Sequence, residues 1–227
     1  MRRLILFDID GTLVSGGPAK HAFEAAMVET YGTLGDVEGV SFAGKTDPQI
    51  ARELLTRAGF ERVAIDAGFP ELWERYSVHL EERLEDMPMH ILPGVVELLD
   101  ELAGVEGVGL GLLTGNIMRG AELKLGSAGL WERFAIGSFG SDHEERDELP
   151  AVALQRARAH WSVAIEAKSA VIVGDTPRDV GCGLAGGTRT LAVATGSYVA
   201  AELSEAGAHH VVEDLSATVD VVTLLTT

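Results

Sequence analysis

Six short apolar runs recur along the chain: Leu4 to Phe7, Val108 to Leu113, Phe134 to Phe139, Ala170 to Val173, Thr190 to Ala194 and His210 to Val212. Between most of them lie stretches with helical periodicity, namely Ile117 to Ala128, Leu149 to His160, Asp179 to Ala185 and Val199 to Ala206. A strand that is apolar along its whole length must be covered on both faces. Such strands alternating with amphipathic helices therefore predict an α/β fold around a parallel sheet.

The segment from Pro18 to Met87 breaks this pattern. It offers helical periodicity at Ala19 to Thr30, Pro48 to Ala58 and Pro70 to Leu84, and no convincing strand. Thr46 or Asp47 can cap the middle helix and Pro48 suits its first position. Ser15-Gly16-Gly17-Pro18 marks the exit from the main domain, and Asp86-Met87-Pro88 and Leu92-Pro93-Gly94 mark the return. A helical insert over 16–88 is expected within a core made of 1–15 and 89–227. Gly at one hinge and Pro at the other suit a lid over a site.

With 227 residues, the chain is long enough for a substantial core. Its 35 Asp and Glu against 18 Lys and Arg give a net charge of −17, which argues against nucleic acid or an anionic membrane as partner. Cys182 is the one cysteine, so no intramolecular disulfide can form and a thiolate zinc site lacks ligands; a reducing cytoplasm fits. The start MRRLILFDID carries two arginines before an apolar run, but Asp8 and Asp10 end that run too early for a signal peptide, and it reads as a strand. No stretch has the roughly 18 apolar residues of a membrane span.

In a parallel α/β sheet, ligands bind beyond the carboxyl ends of the strands. Three such junctions are chemically pointed. Asp8 and Asp10 leave the first strand, followed by Gly11, which permits a tight turn. Thr114-Gly115-Asn116 follows a second strand. Gly174-Asp175-Thr176-Pro177-Arg178-Asp179 follows a third, with Thr176 able to cap, Pro177 able to begin a helix, and Asp175 and Asp179 spaced to face one place. Four aspartates gathered at one rim would repel one another without a cation, and a hard, oxygen-preferring Mg²⁺ suits them. Such a pocket suits phosphoryl transfer, with one carboxylate attacking phosphorus and another moving the proton.

On the motifs Asp8-Ile9-Asp10-Gly11-Thr12-Leu13, Thr114, and Gly174-Asp175 with Asp179, the chain resembles the haloacid dehalogenase (HAD) superfamily of phosphatases, of the phosphoglycolate-phosphatase-like kind with a helical cap. The resemblance covers nearly the whole chain and implies a Rossmann-like core. It also implies Asp8 as a nucleophile forming an aspartyl-phosphate, and Asp10 as the acid/base. The Mg²⁺ shell would be a carboxylate oxygen of Asp8, the backbone carbonyl of Asp10 and the side chain of Asp175, with Asp179 direct or through water. Thr114 would hydrogen-bond a phosphoryl oxygen with N–H groups near Gly115 and Asn116.

One motif departs from the family. Its usual lysine, in a Lys-Pro context before a helix, is absent. Arg146, 29 residues ahead of Asp175, is expected to take its place, because a guanidinium can bridge nucleophile and phosphoryl oxygen. Lys124, well inside a helix, and Lys168, at the opposite end of a strand, are expected to lie too far away. Gly44-Lys45-Thr46-Asp47 forms a polar turn where Lys45 would read an anionic substrate, unless it is a plain cap with a solvated lysine. Lys20, His21 and His143 read as surface residues, and Trp73, Trp131 and Trp161 as packing. Gly107-Val108-Gly109-Leu110-Gly111 misses the dinucleotide fingerprint.

The reading is thus a Mg²⁺-dependent phosphomonoester hydrolase acting on a small phosphorylated metabolite. A phosphomutase of the beta-phosphoglucomutase kind and a non-catalytic phosphate-binding regulatory protein are the alternatives. Dehalogenation leaves Asp10 without a role, and Schiff-base phosphonate cleavage needs a lysine buried enough to be neutral. Oligomeric state and physiological substrate stay open.

Overall fold

The computed structural model describes residues 3–227; Met1 and Arg2, where the basic start begins, lie outside the described residues. In chain order the elements are β1 (Arg3–Phe7), β2 (Val14–Gly16), α1 (Ala19–Tyr31), α2 (Asp47–Arg57), α3 (Arg62–Leu84), β3 (Met89–Ile91), α4 (Val95–Ala103), β4 (Val108–Thr114), α5 (Met118–Ser127) and β5 (Ile136–Phe139). They continue with α6 (Leu149–Trp161), β6 (Ala170–Gly174), α7 (Pro177–Ala185), β7 (Arg189–Val193), α8 (Ala200–Glu205), β8 (His210–Val212) and α9 (Thr218–Thr226).

The main sheet runs β5-β4-β1-β6-β7-β8, with every pairing parallel. Numbered by their order within this sheet, the strands lie 3-2-1-4-5-6, the Rossmann-like arrangement, and the winding reverses between β1 and β6. All six expected strands are present, with boundaries moved by no more than two residues. β1 is central and buried on both faces. Ile5 and Phe7 join one apolar cluster, while Leu4 and Leu6 join another with Leu149, Ala153 and Ala157 of α6. Burial on both sides is the physical reason the run carries no polar residue until its end.

The insert consists of α1, α2 and α3. Thr46 caps α2 by accepting the Gln49 N–H at 3.2 Å, with Pro48 in the first turn. The helix expected from Pro70 instead begins at Arg62 and runs through the proline. Pro70 lies on an exposed face, where the carbonyl it leaves unpaired meets water, so the helix tolerates it. The segments that leave and re-enter the core, β2 and β3, pair as an antiparallel ribbon with Val14 opposite Ile91 and Gly16 opposite Met89. That ribbon, α4 and α9 are elements the sequence reading did not name. α1, α3 and the loop before α2 pack through Phe23, Phe42, Phe69, Trp73 and Tyr76; Trp73 stacks on Phe23 with ring centres 6.5 Å apart. Among the described residues, no helix is long and apolar enough to cross a membrane.

Candidate active site

Because β4, β1 and β6 are adjacent and parallel, their carboxyl ends deliver Thr114, Asp8 and Asp175 to one rim. Asp8 follows β1, its N–H held by the Val173 carbonyl at 2.9 Å. Gly11 turns the chain with φ +83°, and a side chain there would collide with the Asp175 carboxylate. After β6, Thr176 caps α7 in a capping box. Its hydroxyl accepts the Asp179 N–H at 3.2 Å, while Asp179 accepts from the Thr176 N–H at 3.0 Å and its hydroxyl at 2.7 Å. The first turn of α7 thereby aims Asp179 back at the rim. One oxygen each of Asp8, Asp175 and Asp179 lie within 4.8 Å of one another, all three residues buried.

Arg146 stands in a single 3₁₀ turn, Arg146–Glu148, ahead of α6. Its side chain is 6% exposed and its Nη2 reaches Asp8 at 3.0 Å and also bonds Asp179. Nη1 donates to the Gly44 carbonyl of the insert at 3.3 Å. The guanidinium therefore lies at the rim between Asp8 and Asp179.

The structure overturns the reading of Lys124. From α5 its ammonium reaches both Asp10 oxygens at 2.9 and 2.7 Å and Asn116 Oδ1 at 2.6 Å, with its side chain only 5% exposed. Helical side chains lean toward the helix N-terminus, and four methylenes carry the charge back over the preceding turn to the rim. The signal was available: Gly120, Ala121, Lys124 and Leu125 form the buried stripe of α5, and a lysine in such a stripe needs an anion. Lys168 pairs with Glu166 on the surface.

Thr114 is fully buried; its hydroxyl oxygen accepts the Asn116 side-chain N–H at 2.8 Å, which leaves its own proton free to donate. Asn116 also donates to Asp10 at 2.8 Å. Asp10 does not join the three-carboxylate cluster with its side chain, which turns toward Lys124 and Asn116. The Lys45 ammonium pairs with Glu53 inside the insert. His143 is exposed, and Cys182 is buried in α7.

Charges in this packing distort one another. Burial lifts Asp175 to about 8, with the charges of Asp8 and Asp179 adding to the rise. Burial likewise lifts Asp8 to about 6, Arg146 opposing it. For Asp10, burial pushes upward, but the Lys124 charge and the hydrogen bonds from Lys124 and Asn116 prevail and hold it below the usual carboxylate range. Arg146, despite burial, is held above its ordinary value by Asp179 and Asp8. The cluster of three carboxylates is thus under-neutralised by its own protein cations, and its hard oxygen donors fit a small divalent cation.

The rim opens into a cavity of about 370 Å³, roofed by the insert. The insert is bound to the rim at several points. Asp47 N donates to the Gly115 carbonyl at 2.8 Å, and Asp47 Oδ2 accepts the Ile117 N–H at 2.8 Å. The Thr46 hydroxyl donates to the Glu144 carbonyl at 2.7 Å, and Arg52 Nε reaches both Glu144 oxygens at 2.7 Å. Gly115 lies against the Lys45 carbonyl so closely that any Cβ would overlap it. Asp47, Tyr76 and Gly196 line the cavity and were not anticipated as site residues. Burial lifts Asp47 to about 6, despite the favourable charge of Lys124, and raises the Tyr76 hydroxyl, with Asp47 and Asp10 nearby adding to the rise.

The profile of the family described as "Haloacid dehalogenase-like hydrolase" matches residues 5–193. The chain belongs to this family. Among relatives of this hydrolase, the phosphoglycolate phosphatase of Rhodobacter capsulatus is 27% identical over 183 residues, covering 79% of this chain and 78% of that one. The phosphoglycolate phosphatase of Xanthomonas campestris pv. campestris (strain 8004) is 29% identical over 198 residues, covering 86% and 84%. A hydrolase from Pseudomonas syringae of known structure superposes with a TM-score of 0.67 at 20% identity, covering 99% of both chains, which shows the shared fold.

Proposed function

We propose that this haloacid dehalogenase-like hydrolase is a Mg²⁺-dependent phosphatase that cleaves a small phosphomonoester through an aspartyl-phosphate at Asp8. The meeting of Asp8, Asp175 and Asp179 within 4.8 Å, at the point where the sheet reverses its winding, supports this most directly. The phosphatase names of the curated relatives agree with it.

In this reading an Asp8 oxygen attacks phosphorus as the bond to the alcohol oxygen breaks, and Asp10, protonated from solvent for this step, passes that proton to the departing oxygen. The Asp10 carboxylate then takes a proton from a water that attacks the aspartyl-phosphate, releasing phosphate and regenerating Asp8. Lys124 and Asn116 hold Asp10 in the carboxylate form that the second step uses. Arg146 balances charge between Asp8 and the phosphoryl oxygens, and Thr114 donates its hydroxyl proton to one of them. A bound Mg²⁺, held by Asp8, Asp175 and the Asp10 backbone carbonyl, would neutralise phosphate charge. Both Asp179 oxygens already accept hydrogen bonds, so Asp179 would act through water. Residues 16–88 act as a cap that keeps bulk water from the intermediate.

Purified protein with Mg²⁺ is expected to release phosphate from members of a panel of phosphorylated metabolites, to stop on chelation, and to lose about 10³-fold or more of kcat in Asp8→Asn. Full activity in that variant, or no release from any substrate, would overturn the proposal.

A further inference from the structure

Resting on the phosphatase reading, we infer that Tyr76 and Asp47 form a recognition site for a hydroxyl group on the departing alcohol, so that the preferred substrate is the phosphomonoester of a neutral polyhydroxy compound rather than of a hydroxy acid.

Tyr76 belongs to the buried stripe of α3 and is 2% exposed, with its ring edge-on to Phe23 at 6.1 Å and close against Gly120. Its side chain lines the cavity, and its hydroxyl has no hydrogen-bond partner among the described residues. The hydroxyl is therefore open to the cavity, where a ligand group can take the place of solvent as its partner. The neighbouring Asp47 is similar. Its Oδ2 accepts the Ile117 N–H, while Oδ1 has no protein partner among the described residues. One donor and one acceptor therefore face the same space, set among the apolar Phe23, Phe42 and Ile50.

A hydroxyl satisfies both, accepting from Tyr76 and donating to Asp47. A carboxylate cannot. It would face the Asp47 carboxylate, and the cations lining the cavity offer little: Lys124 is spent on Asp10 and Asn116, Lys45 on Glu53, Arg146 on Asp8 and Asp179, and Lys20 projects outward with its side chain 73% exposed.

Phosphate release from four compounds in the presence of Mg²⁺ tests this: sn-glycerol 3-phosphate, propyl phosphate, phosphoglycolate and phosphoethanolamine. Wild type is expected to favour glycerol phosphate over each of the others by about 10-fold or more in kcat/KM. Tyr76→Phe should shrink the glycerol-to-propyl ratio by about 5-fold or more, and Asp47→Asn, which keeps an acceptor for Ile117, should raise phosphoglycolate relative to glycerol phosphate. Turnover of propyl phosphate, phosphoglycolate or phosphoethanolamine as fast as glycerol phosphate overturns the inference and leaves the phosphatase reading standing. So does an equal loss on the glycerol and propyl esters in Tyr76→Phe. Release from none of the four, with none from the wider panel, overturns both. If either variant fails to fold, the wild-type ratios alone decide.

Discussion

On the core wall of the cavity, Arg146 spans Asp8 and Asp179, and Lys124 spans Asp10 and Asn116, so the charged groups restrain one another. On the facing wall, supplied by the insert, Phe23, Phe42 and Ile50 surround a tyrosine hydroxyl and one aspartate oxygen that lack protein partners. The difference teaches where the two tasks of such a site reside. Bond breaking needs groups fixed before substrate arrives, because reorganisation would otherwise add to the barrier. Selection needs groups whose hydrogen bonds are completed only by the right ligand.

The largest break in this contrast is expected from Arg146→Ala, which strips the core wall of its bridging cation. Its kcat should fall about 10²–10³-fold, and Arg146→Lys should recover part of the loss by restoring charge without the fork. Unchanged steady-state kinetics would remove Arg146 from the reaction. Lys124→Met comes next, with a fall of about 10–10²-fold in kcat/KM as Asp10 loses its restraint. Because the ammonium favours the Asp10 carboxylate, its removal raises that group's pKa, and the pH optimum should move upward; a pH–rate profile of fixed position would count against it.

Asp47→Asn sharpens the contrast from the insert side. Asp47 is raised from 3.8 to about 6 by burial, so the folded protein binds its proton more tightly than the unfolded chain does, and wild-type stability declines as pH rises through that window. The asparagine variant escapes this cost. Urea titrations should show it more stable than wild type by about 1–3 kcal/mol above pH 6, with the gap closing below about pH 4. A gap independent of pH would contradict the assignment. The smallest effect is expected for Lys45→Met. Its ammonium, 8% exposed, pairs with Glu53, so KM should change by no more than about 3-fold while thermal stability drops slightly; a large rise in KM would return Lys45 to direct substrate contact.

The core wall was largely legible in the sequence because its signals are local. Asp8, Asp175 and Thr114 each terminate an apolar strand, and strand order alone delivers them to one rim. Arg146 was found by distance along the chain from Asp175. Lys124 reads as too distant from its place inside a helix, whereas the side chain travels back along α5. Tyr76 was invisible for a different reason. It falls four residues from Leu72 and from Leu80 in the buried stripe of α3, so periodicity assigns its whole side chain to packing. What its last atom meets depends on how the insert docks against the rim, and no local pattern encodes that. The same holds for Asp47, which reads as helix-capping chemistry and is also the tether to Gly115 and Ile117. The strands and α5–α8 followed from hydrophobic period. The β2–β3 ribbon did not, since three residues a side are too few to show one.

Residue 115 is a glycine, and a side chain there would run into the Lys45 carbonyl of the facing insert. One added methyl group there would act as a doorstop, holding the roof off its seat while leaving every charged residue below untouched. On the proposed reading, an enzyme carrying it would keep its reactive groups and still lose the enclosure that a water-sensitive acyl phosphate needs.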